Sequence, residues 1–340
     1  MSTVTSEFAV TKKELNWFFR QGVKGGRNLL WDDGMFLYLI GGSAALVVGE
    51  SRQEGVCYKI DGDSLRSAAK ASKATDRITL SVSDDGEHWT IECDTLGTMS
   101  YDAEVVDDLV PDWLKHSGKV RVEISPETSA EMVRLMPLLD TDQGRYTLGC
   151  VRVERNEAGD GALAVATNGR ALAVLEIDCE ISDEEAGRRP SGYLIHEEIL
   201  KHARMTKQGL CVVESPGVDC IMSGTAFLCG TDGNYPRWRS VLDDAVKDTV
   251  LCTTLESVDC ISECERAIAK MEASGEDDWP EFAVGEVSLN ARYVKDIIKL
   301  FDGHPTEASV AEDRPGSKPV VFRSAGKPEL TVVLMPLNKD

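Results

Sequence analysis

The sequence predicts an α+β protein of three like-patterned parts, each supplying two helices and a set of antiparallel strands. Three observations predict it. Apolar residues recur with a period of two in some segments and about 3.6 in others. Alternating segments stand in pairs around turn signals, as hairpin strands do. A strand followed by a helix occurs twice in each third of the 340-residue chain.

In chain order, the strand-then-helix units begin with Phe8 to Gln21 and Val56 to Ser72 in the first third. Val120 to Leu139 and Tyr193 to Thr206 follow in the second, then Val250 to Met271 and Phe282 to Phe301 in the last. Three helices have clear apolar stripes: Leu15, Phe18 and Phe19; Met132, Val133 and Met136; and Val294, Ile297, Ile298 and Phe301. Strands are expected over Arg77 to Val82, His88 to Cys93, Val120 to Ile124, Val151 to Arg155 and Ala162 to Thr167. Asp84-Asp85-Gly86 joins the first two as a hairpin turn, and Ala158-Gly159-Asp160-Gly161 joins the last two. The thirds are not alike in residues, so the repeat is one of pattern. Turn-rich stretches near Ser117-Gly118 and Asp244 to Asp248 divide the chain into domains 1–117, 118–246 and 247–340.

Apolar residues make up 42% of the chain, ample for sizeable cores and too many for a disordered protein. The net charge of −21, spread evenly, would repel nucleic acid and anionic membranes. A nucleic-acid role therefore has to rest on a local basic surface. The longest apolar runs, such as Phe36 to Ile40 and Ala44 to Val48, fall far short of the roughly 20 residues that span a bilayer. Met1 to Ala9 lacks the basic-then-apolar pattern of a signal peptide, and ten cysteines are scattered singly. The expectation is a reduced, cytoplasmic chain with no membrane partner.

The basic residues are biased within this pattern. Arg66, Lys70 and Lys73 share one helix face, as do Lys201, Arg204 and Lys207, Arg266 and Lys270, and Arg292, Lys295 and Lys299. A solvated helix surface is the ordinary reading of such spacing. Its recurrence in an acidic chain points to helices facing one common positive space, where a phosphate backbone would be held without base reading. Lys13, Arg20, Lys24 and Arg134 complete the candidate DNA-facing set.

Gly144 to Ile177 reads GRYTLGCVRVERNEAGDGALAVATNGRALAVLEI. It resembles the middle domain of the bacterial DNA sliding clamp, the beta subunit of DNA polymerase III, with its Ala-Thr-Asp-Gly-x-Arg-Leu-Ala segment. Tyr235 to Leu242 resembles that family's aromatic-Pro-x-Tyr-x-x-Val-Leu, and Asn290 to Asp296 its Asn-x-x-Tyr-x-x-Asp helix. Lys318 to Phe322 and Leu330 to Leu337 resemble its final strands. These landmarks occur in family order over about two thirds of the chain, while the first third matches mainly by pattern.

The resemblance implies three copies of a clamp-type domain assembling as a closed homodimeric ring around duplex DNA, without sequence preference. It implies no catalytic step, tethering of a replicative DNA polymerase for processivity, and partners, the clamp loader included, that bind through short linear peptides. It places the peptide pocket at Thr167, Gly169, Arg170, Leu172, Pro236, Ser240, Val241, Val333, Met335, Pro336 and Leu337. Read for themselves, Leu172, Val241, Val333, Met335, Pro336 and Leu337 supply either the apolar walls of a pocket or the packing between middle and last domains. The sequence departs from the family at Asn168 for Asp, at Arg170-Ala171 for His-Arg, at Ser240 for Arg, and in running past Leu337. These departures bear on partner preference. The alternative reading is a clamp-fold paralogue that binds partner proteins without encircling DNA.

Other constellations carry little chemistry. Cys260 and Cys264 are helix-spaced without a nearby histidine, and Cys211, Cys220 and Cys229 fall on expected strands. Gly22 to Gly26 lacks the Gly-Lys-Ser/Thr of a phosphate loop, and Asp183-Glu184-Glu185 reads as a solvated loop. Trp113, Trp238 and Trp279 read as core or interface residues. No metal-ligand spacing, nucleophile–base pair or paired carboxylates stand out, so no catalytic residue, metal or cofactor is expected.

Overall fold

The computed structural model describes residues 8–21, 28–32, 36–39, 44–47, 57–83, 87–102, 104–106, 119–140, 147–182, 192–215, 219–231, 233–275, 279–313 and 316–337. Lys24, Val56, Trp113, the Asp84 to Gly86 turn, the Asp183 to Glu185 stretch and the Ser117-Gly118 boundary lie outside them.

The chain opens with β1 (Phe8–Thr11), α1 (Lys12–Arg20), β2 (Asn28–Asp32), β3 (Phe36–Leu39), β4 (Ala44–Val47), β5 (Cys57–Asp61) and α2 (Gly62–Ala71). Next come β6 (Arg77–Val82), β7 (His88–Cys93), β8 (Gly97–Asp102), β9 (Glu104–Val106), β10 (Val120–Ile124) and α3 (Pro126–Arg134). The middle continues with β11 (Cys150–Arg155), β12 (Ala162–Thr167), β13 (Ala171–Ile177), β14 (Cys179–Ile181), β15 (Tyr193–His196) and α4 (Glu197–Thr206). It runs on through β16 (Leu210–Val213), β17 (Cys220–Ser223), β18 (Ala226–Cys229), α5 (Trp238–Val246), β19 (Thr249–Leu255) and α6 (Ser257–Ser274). The last elements are β20 (Glu281–Val284), β21 (Val287–Asn290), α7 (Ala291–Leu300), β22 (Thr306–Ala311), β23 (Val320–Ser324) and β24 (Lys327–Leu334).

The strands expected from alternation are β6, β7, β10 and β12, with Val151 to Arg155 inside β11. Each expected strand-then-helix unit has its helix. Three details differ. The unit at Phe282 to Phe301 begins with two strands, because Gly285, at a φ of 57°, turns β20 back into β21. Met136 lies beyond α3, in a 3-10 turn (Met136–Leu138) that contains Pro137, whose missing N–H cannot continue an α-helix. Finally, Trp238 to Val246 forms the helix α5, where no element is expected from the sequence.

The chain packs as two compact units, Met1–Ser129 with Glu198–Thr231, and Ala130–Glu197 with Asp232–Asp340. In the first, one sheet has the order β1-β6-β7-β8 and a second run has the order β10-β16-β17-β18-β4-β3-β2-β5-β9. Ile78, Leu80, Trp89 and Ile91 bury one face of the smaller sheet, and Leu15 and Phe18 bury the stripe of α1. Thr11 starts α1 through a capping box: its backbone N–H donates to the Glu14 carboxylate over 2.7 Å, and its hydroxyl accepts from the Glu14 N–H. His202, on α4, is fully buried with its ring 4.9 Å from that of Trp17. Neither of its ring nitrogens has a hydrogen-bond partner among the described residues. Burial therefore pulls its pKa down to about 4, against a smaller upward pull from Glu14.

The second unit is built on an eight-stranded sheet of order β15-β11-β12-β13-β24-β23-β22-β19. Its edge strand β19 leaves Val250 and Leu251 exposed. Helix α5 lies on the sheet, where Trp238 and Ala245 join Leu163, Val165, Leu172, Val174, Val321 and Val333 in one core. Helix α7 buries Val294, Ile297 and Ile298, with Phe301 just beyond its end.

Candidate functional site

The hairpin between β12 and β13 is held by its own side chains. Thr167 Oγ1 donates to the Ala171 carbonyl over 2.7 Å and accepts from the Gly169 N–H. Asn168 Oδ1 accepts from the N–H groups of Arg170 and Ala171, over 2.9 and 2.8 Å. Gly169 has a φ of 83°, a conformation that a side chain would strain.

The last strand returns beside this turn. In the β13–β24 pairing, Leu172 opposes Val333 and Ala171 opposes Leu334. The chain then leaves the sheet but stays pinned. Met335 N–H donates to the Arg170 carbonyl over 2.9 Å, and Leu337 N–H to the Ser288 carbonyl of β21 over 2.8 Å. Thr167, Gly169, Arg170, Leu172, Val333, Met335, Pro336 and Leu337 are thus gathered at one end of the sheet.

The depth of these residues divides them. Leu172 and Val333 are buried beneath α5 and belong to the core. Met335 and Val241 are each 43% exposed, which leaves apolar surface for a ligand. Val241 flanks the stripe by which Trp238, Leu242 and Ala245 pack on the sheet. Ser240 lies on the opposite side of α5, exposed, with its hydroxyl donating to the Arg237 carbonyl. The structure does not bring it to the face that Val241 borders. Pro236, also exposed, precedes α5, and the preceding Tyr235 anchors this entry by donating to the Val165 carbonyl over 3.0 Å.

Trp279 was not among the residues expected here. It is 47% exposed, so it is not a core residue, and the Arg170 guanidinium lies 5.5 Å from the centre of its ring. Trp279 and Arg170 are distant in sequence, and no local spacing signals their meeting.

Of the basic residues, Lys13, Arg20, Arg66, Lys70, Lys73, Arg204, Lys207, Arg266, Lys270, Arg292 and Lys299 are exposed, and Lys201 and Lys295 are half-buried. Arg66 covers the ring of Phe19 at 4.9 Å. Lys201 pairs with Glu198, and Arg292 with Glu272 over 3.1 Å. Arg134 is engaged within the chain. Its guanidinium binds the Asp302 carboxylate and the Leu300 carbonyl, closing the C-terminal end of α7. Lys327 joins the same carboxylate over 2.7 Å. Desolvation pushes the Asp302 pKa up, but the hydrogen bonds and charges of Arg134 and Lys327 outweigh it and hold the group ionised below its ordinary range. Helix α6 exposes Asp259, Glu263, Glu265 and Glu272 beside Arg266 and Lys270.

Among the described residues, no cluster of His, Cys, Asp or Glu could hold a metal ion, and no helix is long and apolar enough to cross a membrane.

No family model and no curated protein matches the sequence significantly. Solved structures do match. A DnaN sliding clamp (DNA polymerase III subunit beta) from Bartonella birtlesii, bound to griselimycin, superimposes with a TM-score of 0.69 at 14% identity, over 98% of this chain and 100% of that one. A DNA polymerase sliding clamp from Caulobacter crescentus gives 0.66 at 18% identity, over 98% and 100%. The Helicobacter pylori beta clamp bound to a DNA ligase peptide gives 0.67 at 13% identity, over 98% and 100%. From end to end, the chain has the fold of the bacterial DNA sliding clamps.

Proposed function

We propose that the protein is a DNA sliding clamp. In this reading two copies form a head-to-tail ring around duplex DNA, with domains 1–117, 118–246 and 247–340 as its repeating parts. The ring tethers a replicative DNA polymerase and takes no chemical step of its own. Processivity comes from topology, because a closed ring cannot leave sideways although each phosphate contact is weak. The exposed cations of α1, α2, α4 and α7 would face the backbone, which asks for charge and not base recognition. The protein would work in the cytoplasm, opened by a clamp loader.

The observation that carries the reading is the tail from Met335 to Leu337, held against the Arg170 turn and β21. It leaves the Met335 side chain open beside a firm sheet, as a site for short apolar peptides requires. The Helicobacter pylori clamp, of the same fold, was solved with a DNA ligase peptide. Two strands at sheet edges among the described residues support the ring. Strand β8 ends one sheet and β19 ends another, and β19 presents Leu251 at 57% exposure. A contact between these different edges is heterologous, the kind that closes rings.

The exposed carboxylates that surround the cations of α6 favour a second reading, a clamp-fold protein that binds partner peptides without encircling DNA. Sedimentation and DNA retention separate the two. The ring requires an assembly of about twice 37.1 kDa that stays on circular duplex DNA and slides off once the circle is cut. A monomer at micromolar concentration, or equal loss from circles and linear DNA, removes the ring.

A further inference from the structure

We infer that Trp279 and Arg170 form a specificity element of the peptide site, selecting ligands that carry a carboxylate next to their apolar anchor. The inference rests on the peptide-binding reading above and deepens it.

Trp279 immediately precedes Pro280 and β20, and β20 pairs with β21, whose Ser288 carbonyl holds Leu337. At the other end of the same short tail, Met335 is held by the Arg170 carbonyl. The Arg170 guanidinium over the Trp279 ring therefore links the two supports of the tail that carries Met335. The indole stays 47% exposed, and Trp and Arg are among the residue types that dominate binding hot spots. A guanidinium held over an aromatic ring still has N–H groups to offer a further partner. A carboxylate suits a guanidinium, which can give it two parallel hydrogen bonds, shorter and stronger than neutral ones. The aromatic support also reduces the rotamer freedom that Arg170 loses when it engages the ligand.

Charge complementarity is local. The chain as a whole is strongly acidic, while Arg170 sits in a turn whose hydrogen bonds come from a neutral asparagine and a threonine. An acidic ligand residue thus meets a cation with no carboxylate in its own turn.

Two synthetic peptides test this, both with the same apolar Leu-Phe anchor and differing only in Asp or Asn beside it. Each is titrated calorimetrically against the full chain, Trp279→Ala, Trp279→Phe, Arg170→Gln and Met335→Ala. The wild type should prefer the Asp peptide by about tenfold at low salt, an advantage that shrinks as ionic strength rises. Trp279→Ala and Arg170→Gln should each collapse that ratio, whereas Trp279→Phe, which keeps an aromatic face, should retain most of it. Met335→Ala should weaken both peptides alike and leave their ratio unchanged. An undiminished ratio in Trp279→Ala overturns the specificity element while leaving the peptide site standing. Failure of the wild type to bind either peptide overturns both.

Discussion

Replacing His202 with leucine should make the protein markedly less sensitive to mild acid. The folded chain holds this imidazole neutral, fully buried, with its pKa near 4 and no partner on either nitrogen among the described residues. In the unfolded chain it titrates near 6.5. Above pH 6.5 both states are neutral and the group adds no pH dependence. As the pH falls from 6.5 toward 4, only the unfolded state takes up the proton, so folding stability declines by up to about 1.4 kcal/mol per pH unit. Below pH 4 both states are protonated and the loss saturates. Over the whole window it amounts to about 3 kcal/mol. Leucine cannot be protonated, and it removes two buried polar atoms that lack partners, so the variant should equal or exceed the wild type at neutral pH. Urea denaturation of both proteins at several pH values between 4 and 8 measures the difference directly. Subtracting one curve from the other cancels the titration of the carboxylates common to both. A stability difference that is flat with pH would mean that His202 reaches solvent or a partner when it ionises, and would refute the assignment.

Other expectations follow from the site and from the proposed ring. Met335→Ala should cost about 1–3 kcal/mol of binding to an apolar clamp-type peptide, and a chain ending at Leu334, which keeps β24 whole, should bind none detectably by calorimetry. Leu251→Asp should shift the sedimentation coefficient from dimer to monomer while circular dichroism stays unchanged, because the residue lies exposed on an edge strand. Replacing Arg66, Lys70, Lys295 and Lys299 with Glu should lower the log–log salt slope of DNA binding by about 0.9 per lost phosphate contact, and an unchanged slope would place the DNA elsewhere. Tyr235→Phe removes the hydroxyl that donates to the Val165 carbonyl and should cost about 1 kcal/mol in urea denaturation, with little change in the fold.

The strands were legible where one face is buried and the residues alternate. Ile78 and Leu80 in β6, and Trp89, Ile91 and Cys93 in β7, mark that face at every second position. Helix α5 is hard to see in the sequence although Trp238, Leu242 and Ala245 recur at helical spacing, because the intervening Arg239, Ser240, Asp243 and Asp244 are polar and Pro236 reads as a loop. The hairpin of β20 and β21 reads as one strand in the sequence because its turn, Gly285-Glu286, is only two residues long. The site was legible in part. The Thr167 to Arg170 turn has its chemistry in four consecutive residues, and its pairing with the tail was available only through resemblance. The Arg134–Asp302 pair and the Arg170–Trp279 contact join residues far apart in the chain. No periodicity encodes them.

The turn that supports the tail has a consequence for the protein's chemical ageing. Asn168 precedes Gly169, the arrangement in which an asparagine side chain is most open to attack by the next backbone nitrogen, with loss of ammonia. Here the Gly169 nitrogen donates its proton to Thr167 Oγ1 and the Asn168 oxygen is held by two N–H groups, so neither group is free to approach the other. Conversion to aspartate would set a permanent negative charge beside Arg170. The same hydrogen bonds that shape the turn therefore also set how long the site keeps its charge.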